Sequence, residues 1–78
     1  MVFDKLCEFL SSQLGVDKAD IRPETDIIKD LGADSLDLVE MITVMEDEYN
    51  LIITDERIRE LYTVGEVAAF LEEQLQKK

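Results

Sequence analysis

Ser35 lies between an acid, Asp34, and a regular run of apolar residues, Leu38, Ile42, Met45 and Tyr49. Asp34 is a good N-cap residue, whose carboxylate accepts the free amides of a first helical turn. Ser35 then takes the first helical position, with its hydroxyl exposed at the positive end of the helix dipole. That is a favourable place for a phosphate ester, which the helix end supports electrostatically. Nucleophile pairs of the Ser-His or Cys-His kind are excluded, because the chain contains no histidine. Cys7 is the only cysteine, so an intrachain disulfide and a thiol-rich zinc site are excluded too, and among apolar neighbours it reads as small core filler. Taken alone, an Asp-Ser pair at a helix start is no more than a cap.

The acids around Ser35 are unevenly placed. The 78 residues carry 19 acidic and 8 basic side chains, a formal charge of -11, which points away from nucleic acid and anionic membranes and toward basic partners. Between Asp30 and Glu56 stand Asp30, Asp34, Asp37, Glu40, Glu46, Asp47, Glu48, Asp55 and Glu56, with no Lys or Arg among them. A solvated helix face usually mixes signs, since Glu and Lys four apart stabilise it by ~0.2–0.5 kcal/mol per pair. This stretch has none of those pairs, and the outward-facing Leu36 and Val44 set among its charges give it the character of a contact ridge. A calcium loop is excluded. Counted from Asp30, the third position is Gly32, the sixth Ser35 and the twelfth Met41, none of which suits an EF-hand. No metal site is expected.

The chain is of a length for one domain, residues 1–78. Phe3, Leu6, Cys7, Leu10 and Leu14 share one helix face, and Gly15 follows as a left-handed cap. From Val16 to Ala33 no period is sustained, Pro23 intervenes, and isolated Val16, Ile21, Ile27, Ile28 and Leu31 predict a long pinned loop with one turn near Ile27. A second helix is predicted from the Asp34 cap to Tyr49. Its wheel puts Leu38, Ile42, Met45 and Tyr49 inward and Leu36, Glu40, Thr43 and Asp47 outward. A short helix is predicted from Thr54, Asp55 and Glu56 to Leu61, burying Ile58 and Leu61. Thr63 and Glu66 form a capping-box pattern for a last helix whose face is Val64, Val67, Ala68, Leu71 and Leu75, with Lys77 and Lys78 complementing its negative end. The fold class is therefore all-α, a four-helix bundle of three main helices and one short one. Asp4, Lys5 and Glu8 interrupt the first apolar segment, and no run approaches ~18 apolar residues. A monomer without a membrane span, in the cytoplasm or an organelle matrix, is expected.

The run Leu31-Gly32-Ala33-Asp34-Ser35-Leu36-Asp37-Leu38-Val39-Glu40 resembles the modification-site segment of acyl carrier proteins, whose attachment motif is D-S-L. The likeness extends through Gln13-Leu14-Gly15-Val16, Glu46-Asp47-Glu48-Tyr49 and Thr63-Val64-Gly65-Glu66. It implies a carrier rather than an enzyme. A phosphopantetheinyl transferase would move a 4'-phosphopantetheine arm from coenzyme A onto Ser35, and the arm's thiol would hold acyl chains for fatty acid synthesis enzymes. It further implies that basic patches on those partners meet Asp34, Leu36, Asp37, Glu40, Val44, Asp47 and Glu48, and that Leu38, Ile42, Ile53 and Ile58 lie near a tucked acyl chain.

Arg57, Arg59 and Ile52 depart from the commonest pattern of that family, which bears on the pathway and not on the attachment site. Two other readings fit parts of the sequence. One is a carrier for aminoacyl groups or for a specialised polyketide or peptide pathway, against which Asp34 and the acidity of the second helix speak in part. The other is an unmodified acidic helical adaptor for a basic partner, which explains the charge and leaves the serine segment to coincidence.

Overall fold

The computed structural model describes residues 2–54 and 56–77. Three α-helices make the frame: α1 (Val2–Leu14), α2 (Ser35–Tyr49) and α3 (Val64–Lys77). Two short 3-10 helices, Lys18–Asp20 and Glu56–Glu60, interrupt the connections. The all-α class stands. The short helix expected before Leu61 is a 3-10 turn, and Ile58 and Leu61 are half-buried against the core. Its predicted start at Asp55, and Lys78 at the chain end, lie outside the described residues.

The core is a single cluster drawn from the three helices and the connection between α1 and α2. α1 gives Val2, Leu6, Cys7 and Leu10, and α3 gives Val64, Val67, Ala68, Phe70 and Leu71. Ile21, Ile27 and Ala33 come from the connection between α1 and α2. α2 contributes only Met41 and Met45 as fully buried residues, while Leu38, Ile42 and Tyr49 are half-buried. The predicted inward stripe is thus turned by a fraction of a turn toward Met41. α1 packs chiefly against α3, and α2 leans on α1. Phe3, expected on the core face, sits at its margin, and Val2 takes the buried place.

The long connection is held by backbone bonds to the start of α3. Ile27 N donates to Tyr62 O at 2.8 Å, Val64 N to Thr25 O at 3.1 Å and Gly65 N to Pro23 O at 2.8 Å. These bonds fix the entry to α2, because Ala33 N donates back to Ile27 O at 3.1 Å. The turn expected near Ile27 is present, closed by Asp30 N to Asp26 O at 2.9 Å. The 3-10 helix Lys18–Asp20 lies where the sequence predicts only loop. It is nucleated locally, with Asp17 accepting from Ala19 N at 2.9 Å, a contact that leaves no periodic trace in sequence. The capping box of Thr63 and Glu66 forms, with Glu66 N donating to Thr63 Oγ1 and Thr63 N to Glu66 Oε1, both at 3.2 Å.

Candidate functional site

α2 begins at Ser35 because Asp34 caps it. Asp37 N donates to Asp34 Oδ1 at 2.9 Å and Asp34 N donates to Asp37 Oδ2 at 3.1 Å, a capping box built from two aspartates. Gly32, at φ +75°, turns the chain into this cap in the left-handed region, where a side chain is disfavoured. The cap is completed by carboxylates, so it makes no demand on the Ser35 hydroxyl. Ser35 is solvent-exposed on the first helical residue.

Ser35 also stands on the wall of a cavity of about 570 Å³ between α2 and the segment from Ile53 to Leu61. Leu38, Ile42, Ile53 and Ile58, the four residues that the resemblance implies near an acyl chain, all line it. Met41 and Val67 close its floor, both almost fully buried. The wall opposite α2 is tied down by Glu46, whose Oε2 accepts from Ile53 N at 2.7 Å. Asn50, in the left-handed conformation at φ 53°, ends α2 and turns the chain along that wall. Val39 and Thr43 line the cavity as well. The wheel had set Thr43 opposite the core and did not single out Val39, which is as exposed as Leu36, at 61% and 64%.

The acidic face divides into parts. Gln13, at the end of α1, donates from Nε2 to Glu40 Oε2 at 2.7 Å and to Asp37 Oδ1 at 3.4 Å. Lys5 reaches across from α1 to Glu48 at 3.2 Å, and this contact holds the lysine pKa above its ordinary value. The acids of α2 therefore do have a basic neighbour, one that comes from another helix. Leu36, Val44 and Asp47 are exposed beside them. All seven residues assigned to a partner face lie on the cap and outer surface of α2. Two departures from the expected sequence pattern serve different ends. Arg57 lies over the Phe70 ring at 5.4 Å and within 3.8 Å of Glu73, holding the 3-10 helix to α3, whereas Arg59 lines the cavity.

The family model for a phosphopantetheine attachment site matches residues 4–71. The chain belongs to the acyl carrier protein family. An acyl carrier protein of Helicobacter pylori is 40% identical over 72 residues, 92% of each chain. One from Clostridium acetobutylicum is 41% identical over 71 residues, 91% of this chain and 92% of its own. Among solved structures, the acyl carrier protein from Enterococcus faecalis superposes with a TM-score of 0.79 at 26% identity, covering 94% of this chain and 92% of its own. Membership in a carrier family accounts for a serine with no histidine to activate it. Among the described residues no group of histidine, cysteine and acidic side chains could hold a metal ion, and no helix is long and apolar enough to cross a membrane.

Proposed function

We propose that this carrier protein serves fatty acid synthesis as a single-domain cytoplasmic monomer, with 4'-phosphopantetheine on Ser35, and that it catalyses no reaction itself. The observation that carries the reading is the position of Ser35. It is exposed, free of any role in the cap, and on the wall of a cavity lined by Leu38, Ile42, Ile53 and Ile58. The arm, when bound, supplies a terminal thiol for thioester linkage of acyl groups.

The chain's own residues would do the rest. The Ser35 hydroxyl attacks the pyrophosphate of coenzyme A; an Oγ–P bond forms as the P–O bond to the nucleotide portion breaks. The hydroxyl proton goes to a base of the transferase, since the chain has no histidine and the carboxylates flanking Ser35, Asp34 and Asp37, are engaged in the cap. The unpaired amides at the start of α2 support the resulting phosphodiester. Leu38, Ile42, Ile53 and Ile58 shelter acyl chain from water, each buried methylene contributing about 0.8 kcal/mol. Asp34, Asp37, Glu40, Asp47 and Glu48 steer basic patches of the transferase and of the synthesis enzymes toward Ser35, and Leu36 and Val44 supply the apolar contact at the centre of that face. Intact-mass measurement on protein purified from its own host tests this reading. An added phosphopantetheine arm bearing a fatty acyl group is expected; unmodified chain throughout would favour the adaptor reading instead.

A further inference from the structure

The cavity beside Ser35 is apolar over most of its wall, and Arg59 is the one cation among the residues lining it. Arg57, two residues earlier, is turned away toward Phe70 and Glu73 on α3. Arg59 takes part in no ion pair among the described residues. The two carboxylates on the same wall do not neutralise it: Glu46 is committed to the Ile53 amide at 2.7 Å, and Glu56 forms no ion pair with it. Arg59 is solvent-exposed, and a guanidinium with no acidic partner among the described residues beside such a cavity offers its full charge to an anion held nearby, an attraction that added salt screens. Its planar fork suits the paired oxygens of a phosphate or a carboxylate.

We propose that Arg59 is an anion-holding residue of this cavity, and that the anion is carried by the arm on Ser35. The proposal rests on the reading of Ser35 as the attachment site. Two sources offer the same chemistry: the phosphodiester next to the serine, and a carboxylate at the free end of a dicarboxylic half-thioester. In the second case Arg59 sets cargo specificity, favouring acyl groups that end in a charge over those that end in a methyl group.

The test follows the Arg59 Nε–H resonance in labelled protein, unloaded, with the bare arm, and with the arm carrying butyryl or succinyl. These two acyl groups have the same carbon count and differ in a terminal methyl or carboxylate. A shift on attachment of the bare arm identifies the phosphodiester; a shift with succinyl and none with butyryl identifies the carboxylate. In parallel, the change in thermal midpoint on loading is expected to shrink in Arg59→Gln and to persist in Arg22→Gln, which removes the same charge from the exposed loop. A resonance unmoved in all three loaded forms, or equal midpoint changes in the two variants, would overturn the proposal while mass analysis still showed the arm on Ser35. Absence of the arm from Ser35 would overturn the attachment reading and this proposal together.

Discussion

Asp34 and Asp37 accept each other's backbone amides, at 2.9 and 3.1 Å respectively, and so close the first turn of α2 around Ser35. Both residues also lie on the face assigned to partners, so their substitution has two separable consequences. Asp34→Ala or Asp37→Ala is expected to lower stability by about 1 kcal/mol, or roughly 4–8 °C in thermal midpoint. The double variant should lose less than the sum, because each single change already breaks the reciprocal arrangement. Thermal denaturation of the three variants checks this; strictly additive losses would mean that the two bonds act independently.

Glu40 carries no cap, and its reversal removes a docking charge together with one exposed bond from Gln13 Nε2, at 2.7 Å. Glu40→Lys is expected to slow association with a basic partner such as a ketoacyl synthase by on the order of tenfold at low salt, and by less as salt rises. Val44→Ala should act instead on dissociation, since about 1 kcal/mol of apolar contact is lost after the complex has formed. Glu72→Lys is the suitable control. Glu73 is not, because it holds Arg57 and Lys77 at 3.8 and 3.1 Å. Stopped-flow association at two ionic strengths measures all three, and equal slowing by the Glu40 and Glu72 reversals would show that net charge suffices.

Gly65 tests how the long connection is joined to α3. A Cβ there would lie 2.8 Å from Pro23 O and 3.0 Å from Pro23 Cβ, a clash with backbone that no rotamer relieves. Gly65→Ala should therefore destabilise by about 1–3 kcal/mol, although alanine is the better helix former by about 1 kcal/mol. A gain in the denaturant midpoint would mean that the connection yields at Pro23.

Three groups favour a loss of stability at alkaline pH. Burial raises the Cys7 thiol above its ordinary 9.0 and, with Glu48 adding, the Tyr49 phenol above 10.0. The hydrogen bond that Lys5 donates to Glu48, followed by the charge of Glu48, raises Lys5 above 10.5. Each folded pKa lies above its unfolded value, so the associated stability is fully present below about pH 9 and declines as pH climbs through each folded pKa. Melting curves should show a falling midpoint above about pH 9, and Cys7→Ala should delay the onset. A midpoint that held steady through the titration of all three would contradict these assignments.

The helices and their caps were legible in the sequence because they are local: Gly15, Asp34 and the Thr63 and Glu66 pair each announce themselves within four residues. The placement of α2 was legible only in part. A wheel ranks Leu38 and Ile42 with Met45, since it registers apolar spacing and cannot distinguish a packed core from the wall of a cavity. Met41 escaped notice for the same reason. The docking of the connection on α3 has no sequence signal, because the bonds from Ile27 to Tyr62 and from Val64 to Thr25 join backbone groups that every residue carries. The partners of Glu40 and Glu48, Gln13 and Lys5, lie on another helix, where no spacing rule reaches.

Attachment at Ser35 is the claim on which the functional account stands. Incubation with coenzyme A and a broad-specificity phosphopantetheinyl transferase, followed by intact-mass analysis and peptide mapping, tests it directly. One phosphopantetheinyl group should be added, on the peptide containing Ser35, and Ser35→Ala should remain unmodified while melting as the parent protein does, since its hydroxyl has no part in the cap. Equal modification of the Ser35→Ala chain would contradict the account.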